Sequence, residues 1–176
     1  MKRYRLVPRI SAEELEKQVN DLAARINRDY EGQSLVVVGV LNGACIFLSD
    51  LVRRLSVPVE IDFVRLASYG KGSRTSGTIK ITKDVELPIE GRNVLIVEDI
   101  VDTGTTLVWF LEYLRQRRPE SVKICALVDK SERREVEVPL DYVGIHVDKG
   151  FLVGYGLDFA EKHRNLPGIC EVEFLE

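Results

Sequence analysis

The residues best equipped for chemistry lie together in Glu98-Asp99-Ile100-Val101-Asp102-Thr103-Gly104-Thr105-Thr106. Thr103, Gly104, Thr105 and Thr106 are small enough to let an anion reach backbone amides, and the three threonines add hydroxyl donors. The carboxylates Glu98, Asp99 and Asp102 repel an anion placed beside them. They must face something else: sugar hydroxyls, a divalent cation, or a proton to be removed.

Such groups need elements to aim them. Val94-Leu95-Ile96-Val97 is an apolar run suited to a strand buried on both faces, ending at the two adjacent acids. An apolar helical pattern follows from Thr106 to Arg117. In an open parallel sheet, ligands bind beyond the carboxyl ends of the strands, where a helix start offers unpaired N–H groups and a positive dipole end. The same order recurs upstream: a strand over Ser34–Val40, the turn Leu41-Asn42-Gly43, and a helix over Ala44–Leu55. That turn is either a second anion cradle, which suits a substrate carrying two phosphate groups, or a plain tight connection.

Around this pair the spacing predicts a helix over residues 11–28, opened by Ser11 with Glu14 three positions on and placing Leu15, Val19, Leu22, Ala23 and Ile26 on one face. Strands are expected over Val57–Ala67, Thr78–Val85, Val122–Val128 and Tyr142–Val147. The glycine-rich stretch from Ser68 to Thr78 matches neither a Walker loop nor GxGxxG; it is a hairpin connection or an active-site lid. Arg115, Arg117 and Arg118 before Pro119 suit the end of a helix. Lys130, just past a strand end, either touches a ligand or is an ordinary surface lysine. The tail from Lys149 carries Phe151, Tyr155, Phe159 and Phe174, with Asp158, His163 and Arg164 nearby. It forms a small cap over the sheet or an edge strand with terminal coil; the cap is preferred because the aromatics need a place to bury.

With 176 residues, 45% hydrophobic and 30% charged, the chain is expected to form one globular domain. A net charge of −3 argues against a general nucleic-acid surface. Cys45, Cys125 and Cys170 form no CxxC pair and are expected to be reduced, inert thiols. His146 is expected in a strand and His163 in a charged helical turn, without the spacing of a transition-metal site; a hard cation such as Mg²⁺ fits the acids better. The charged N-terminus leads into no apolar h-region, and no apolar run nears the ~20 residues that span a bilayer, so a cytoplasmic protein with no membrane partner is expected.

Val94 to Thr106 resembles the phosphoribosyl-pyrophosphate-binding motif of type I phosphoribosyltransferases. Further pieces are similar in the family's order from about residue 35 onward: Leu41-Asn42-Gly43 to its pyrophosphate loop, Ser68-Tyr69 to the start of its lid, Val128-Asp129-Lys130 to a purine-contacting segment. Phe151 to Phe159, with Arg164, resembles the hood of the hypoxanthine (guanine) phosphoribosyltransferases. The resemblance implies the α/β fold of type I phosphoribosyltransferases, with a central, mainly parallel sheet flanked by helices, a flexible lid and a small hood. Residues 1–176 would then form one domain, with a core of about 10–148 and a hood of about 149–176, to which N-terminal residues are candidates to contribute.

The implied activity is purine salvage: Mg²⁺-dependent transfer of a phosphoribosyl group from 5-phosphoribosyl 1-pyrophosphate to a 6-oxopurine. Thr103–Thr106 would hold the 5′-phosphate, Glu98 and Asp99 the ribose hydroxyls and Mg²⁺, and Asp102 would accept or steer the proton leaving the purine. Leu41, Asn42 and Gly43 would offer amides to pyrophosphate, often across a non-proline cis peptide, with Arg164 adding charge. Position 42 is asparagine where some relatives carry lysine. Ile100, Lys130, Phe151 and Leu152 would bind the base, and Asp158 a second Mg²⁺. The family is usually dimeric or tetrameric. A regulator of the same fold that senses phosphoribosyl pyrophosphate while binding RNA or DNA is the alternative, and would need a basic face or an added helix-turn-helix.

Overall fold

The computed structural model describes residues 3–69 and 78–175. In chain order the elements are β1 (Tyr4–Ile10), α1 (Ala12–Asp29), β2 (Leu35–Val40), α2 (Cys45–Val52), β3 (Val59–Tyr69), β4 (Thr78–Lys83), β5 (Asn93–Val101), α3 (Thr105–Arg115), β6 (Ser121–Lys130), β7 (Tyr142–Val147), β8 (Leu152–Val153) and β9 (Ile169–Phe174). Two sheets result. The larger has the order β4-β3-β2-β5-β6-β7, and the smaller β1-β9-β8. In the large sheet β3, β2, β5, β6 and β7 run parallel and only β4 is antiparallel, paired with β3.

The apolar runs of β2, β5 and β6 follow from burial on both faces. Leu35, Val37, Leu95, Val97, Cys125 and Leu127 point toward one layer, where α1 and α2 contribute Leu15, Leu22, Ile26, Phe47 and Leu51. Val36, Val38, Val94, Ile96, Ile124 and Ala126 point to the other, covered by Leu107, Phe110, Leu111 and Leu114 of α3. Side chains alternate across a strand, so a doubly covered strand cannot have a polar face. Each fully buried Val, Leu or Ile contributes about 1.5–3 kcal/mol, which makes this sandwich the rigid base of everything at its rim.

Helix α1 starts as its residues predict: Ser11 accepts from the Glu14 amide, the Glu14 carboxylate accepts from the Ser11 amide, and the five expected apolar residues are buried. Helix α2 stops at Val52 rather than reaching Leu55, because Arg54 and Leu55 donate to Leu51 and Val52 in a tightened last turn. Strand β5 does not end at the two acids. Ile100 and Val101 continue it against Val128 and Asp129, carrying Glu98 and Asp99 inside the sheet's rim. No helical turn holds His163, which sits in a turn with a φ of +77°.

Strand β1 is absent from the sequence expectations. It pairs antiparallel with β9, with Arg5 against Glu173 and Arg9 against Glu171 across the strands. Its Pro8 is tolerated because β1 is an edge strand. The aromatic tail joins β1 in the small sheet, where Phe159 packs edge-on against Tyr4, Phe151 and Phe174, although Phe151 and Phe174 stay 45% and 50% exposed rather than buried as expected. Ser68 and Tyr69 close β3, with backbone partners Ile79 and Thr78. The remainder of the expected lid, residues 70–77, lies outside the described residues.

Candidate active site

The rim of the large sheet gathers the chemistry-bearing residues around two recesses that share a wall. One, of about 170 Å³, is lined by Glu98, Ile100, Val101, Asp102, Thr103, Gly104, Thr106 and Leu107. The other, of about 200 Å³, is lined by Asp99, Ile100, Asp102, Lys130, Phe151, Leu152, Leu157 and Asp158. Ile100 and Asp102 face both, so a molecule filling the pair passes over these two residues. The adjacent acids divide because successive side chains on β5 leave opposite faces.

The first recess is built by the entry to α3. Gly104 adopts a φ of +85° and no side chain caps the helix, leaving first-turn amides without intrahelical acceptors. A Cβ on Gly104 would meet Val138 Cγ2 at 2.5 Å, so glycine is required by contact as well as by conformation. Among the described residues no backbone carbonyl accepts from the Thr103 or Gly104 amide, and the Thr103 and Thr105 hydroxyls lie 3.1 Å apart. This is a cradle of donors at the positive end of an 11-residue helix.

The turn after β2 lies alongside. Leu41–Asn42 is a cis peptide. Asn42 is exposed, and among the described residues neither the Asn42 nor the Gly43 amide donates to a backbone carbonyl. The Leu41 amide, also expected to be open to a ligand, is instead taken by the Val64 carbonyl at 2.8 Å, because Leu41 still follows β2 alongside β3. Gly43 is pressed between two neighbours: a Cβ there would fall 1.7 Å from Asp99 Oδ2, while a Cβ on Gly156 would fall 2.1 Å from the Gly43 carbonyl. The turn is thus wedged between the acid of β5 and the small sheet's lobe. Arg164 stands above it, donating to the Gly156 carbonyl at 2.8 Å and pairing with Asp158 at 2.9 Å.

Electrostatically the two acids are a strained pair. Burial, then the like charge of Asp99 and a hydrogen bond with it, push the Glu98 carboxyl well above the usual range. Burial also raises Asp99, opposed by Glu98, by the Ile100 amide at 2.7 Å and by the Arg164 charge. Two carboxylates that resist ionising side by side present oxygen ligands suited to a hard divalent cation, whose charge removes the repulsion. Among the described residues no group of three His, Cys, Asp or Glu could enclose a metal, so an ion held by the two acids would need further ligands from outside the chain.

The second recess has the makings of a ring pocket. Phe151 is 45% exposed and lines it beside Leu152. Lys130 is only 7% exposed, its Nζ 3.4 Å from the Gly150 carbonyl and 3.4 Å from Asp102 Oδ1. Asp102 Oδ1 is buried and, among the described residues, makes no hydrogen bond. A buried carboxylate oxygen that is ion-paired with Lys130 but not hydrogen-bonded among the described residues keeps lone-pair capacity for an incoming N–H. The sequence expectations for Ile100, Lys130, Phe151, Leu152, Asp102 and Asp158 therefore meet at one place, and the bland reading of Lys130 as a surface residue is excluded by its burial.

What sequence reasoning missed is the segment after β6. Glu135 and Val136 donate to the Thr103 carbonyl at 3.0 and 3.3 Å, and Arg133 pairs with Asp102 Oδ2 at 3.4 Å. Arg134 reaches the carbonyls of Val101, Asp102 and Lys130. The adjacent arginines three and four residues after Lys130 were the available signal.

Residues 10–160 match the family model described as a phosphoribosyl transferase domain. The chain is 45% identical to the hypoxanthine phosphoribosyltransferase of Haemophilus influenzae, covering 98% of both chains. It is 46% identical to the bifunctional protein TilS/HprT of Listeria monocytogenes over 91% of its own length, but spans only 25% of that longer protein. A crystal structure of a hypoxanthine-guanine phosphoribosyltransferase from Bacillus anthracis superposes with a TM-score of 0.90 at 41% identity, covering 97% of this chain and 99% of the other.

Proposed function

The chain belongs to the phosphoribosyl transferase domain family, and from that premise we propose that it catalyses purine salvage: a 6-oxopurine and 5-phosphoribosyl 1-pyrophosphate give a nucleoside monophosphate and pyrophosphate. The observation that supports this reading most is the ring-sized recess formed by Lys130, Phe151, Leu152 and Asp102 beside the amide-lined recess at the start of α3. One substrate carries a phosphate and the other a flat ring, and the two meet over Ile100 and Asp102.

In this reading the amides and hydroxyls of Thr103–Thr106 bind the 5′-phosphate, and Glu98 and Asp99 orient the ribose through its hydroxyls. The purine stacks on Phe151, and the backbone of Leu152 reads its far edge. Lys130 donates to the oxygen at ring position six, which selects against a six-amino purine because that group is itself a donor. Asp102 Oδ1 takes the proton that leaves the ring nitrogen as the bond from that ring to the anomeric carbon forms and the bond to pyrophosphate breaks. Positive charge develops on the sugar during this exchange, and the nearby carboxylates stabilise it. The Asn42 and Gly43 amides and Arg164 hold the departing pyrophosphate, the latter by charge-assisted bonds.

Glu98 and Asp99 would hold one Mg²⁺ and Asp158 a second, with substrate oxygens or water supplying the other ligands. When bound, the ion neutralises charge on the leaving group. Ser68 and Tyr69 open the lid of this reading, which excludes water from the reacting atoms. The small sheet acts as the hood over a core of about residues 10–148. A cytoplasmic homodimer or homotetramer is part of the same proposal, supported by the family membership; sedimentation velocity measures the assembly.

The deciding assay supplies phosphoribosyl pyrophosphate and Mg²⁺ with hypoxanthine, guanine, xanthine or adenine in turn and follows monophosphate formation. Product from hypoxanthine or guanine and none from adenine is expected. No product from any 6-oxopurine would overturn the proposal.

A further inference from the structure

The residues that touch the purine and its proton come from two different strands, Asp102 from the end of β5 and Lys130 from the end of β6. Their separation has to be held at the place where sheet pairing stops. The last pair between these strands is Val101 with Asp129; beyond it the chains diverge, one into the phosphate-binding turn and the other into the loop that follows Lys130. Lys130 stays paired with Val147 of β7, whereas Asp102 has no strand partner, so its carbonyl must be satisfied by another group and its distance from Lys130 set by something other than the ladder.

Arg134 occupies this divergence. Its Nε donates to the Asp102 carbonyl at 2.9 Å, and its Nη2 to the Val101 carbonyl at 3.1 Å and the Lys130 carbonyl at 3.2 Å. The same Nη2 pairs with Asp129 Oδ1, whose other oxygen lies 3.2 Å from His146 Nδ1 on β7. One planar, permanently charged group thus bonds the backbone of both site residues and a side chain of β6. The following residues extend the brace, since Glu135 and Val136 donate to the Thr103 carbonyl.

We propose that Arg134 is a positioning residue that sets the distance between Lys130 and Asp102, and so couples recognition of the base to removal of its proton. It touches no substrate in the reading given above, on which this inference rests. The guanidinium is suited to the task because its donors form a rigid fork that reaches several acceptors at once. A lysine ammonium at the same position is a point charge on a flexible stem and cannot bridge both strands in one fixed geometry.

Arg134→Lys and Arg134→Gln, each compared with the wild-type chain, test this. For both variants kcat with hypoxanthine is expected to fall about 10- to 100-fold, as sub-ångström to ångström misplacement of reacting groups does. The hypoxanthine KM should rise together with that fall. Calorimetric affinity for phosphoribosyl pyrophosphate with Mg²⁺ should stay within about threefold, because Glu98, Asp99 and the start of α3 are held by other contacts. Guanidinium ion added to Arg134→Gln should recover part of the lost rate, and Arg134→Lys should retain more activity than Arg134→Gln. Two results overturn the inference: kcat and purine KM unchanged in both variants, or a fall in kcat alone with unaltered purine KM and a lowered Tm, which marks loss of folded enzyme. A wild-type chain that turns over no 6-oxopurine would instead sink the functional reading itself.

Discussion

Lys130 Nζ stands 3.4 Å from Asp102 Oδ1, a buried oxygen that makes no hydrogen bond among the described residues. Both residues line the ring-sized recess, joining the group proposed to read the base to the group proposed to take its proton. Asp102→Asn keeps the shape but replaces that acceptor oxygen's basicity, so kcat is expected to fall by about 10²–10⁴-fold, the range general-base removal costs. Affinity for phosphoribosyl pyrophosphate should be largely preserved; unchanged turnover in a steady-state assay would remove Asp102 from the proton-transfer role.

Lys130→Ala removes a buried donor and leaves a base oxygen unpaired. The hypoxanthine KM should rise by roughly 10-fold or more, as losing a charged hydrogen bond of about 1.5–3 kcal/mol implies. Discrimination against adenine should narrow. Identical purine KM values and identical discrimination would place the base elsewhere.

Glu98 and Asp99 carry a pH-dependent cost. Because burial and its neighbour raise the Glu98 carboxyl in the folded chain, the folded state binds that proton more tightly than the unfolded state. The contribution to stability is complete below the unfolded range near about pH 4 and is lost as pH rises through the raised value. Glu98→Gln should therefore raise Tm of the ligand-free chain at pH 8, by about 2–4 °C for each kcal/mol relieved, and much less at acid pH. The same variant should bind phosphoribosyl pyrophosphate with Mg²⁺ more weakly. Thermal scans across pH decide it; a variant less stable than wild type at pH 8 contradicts the argument.

Asp62 shows the opposite sign away from the site. Burial alone would raise it, but the Leu87 and Phe63 amides, Lys83 Nζ and the Glu86 amide outweigh that and hold it below the usual range. Its contribution is present above the unfolded pKa and is lost as pH falls through the lower folded one. Asp62→Asn is expected to cost about 1.5–3 kcal/mol in urea unfolding at pH 7, as losing hydrogen bonds to a charged group does, with the difference from wild type shrinking below about pH 4. A constant difference across pH would disprove the linkage.

Gly43→Ala places a methyl group 1.7 Å from Asp99 Oδ2. Either the turn or the acid must move, and both line the same substrate in the reading above. Binding of phosphoribosyl pyrophosphate should weaken by at least about tenfold, with purine-site residues untouched. Wild-type affinity in a calorimetric titration would show that the turn takes no part.

Local chemistry was legible from residue order alone. The Ser11–Glu14 capping box and the face of α1 need only neighbours a turn apart, and the runs in β2, β5 and β6 announce burial on both faces whatever their partners. The uncapped, donor-bearing start of α3 at Thr103–Thr106 was legible for the same reason, since small residues at a helix start act through their own backbone. Strand β1 was not. Its alternation is broken by Arg5, Pro8 and Arg9, and its pairing is specified by Glu171 and Glu173, more than 160 residues away.

The sequence by itself determined that Thr103–Thr106 could offer amides and hydroxyls to an anion and that Glu98, Asp99 and Asp102 would repel one, because those properties belong to side-chain type and to the turn that carries it. Only the tertiary structure decided that Lys130 is buried against Asp102, that Gly43 has no room for a methyl group beside Asp99, and that Arg134 spans two strand ends. Each of these depends on strand order and register in the parallel sheet, and register is a balance of contacts between segments far apart in the chain.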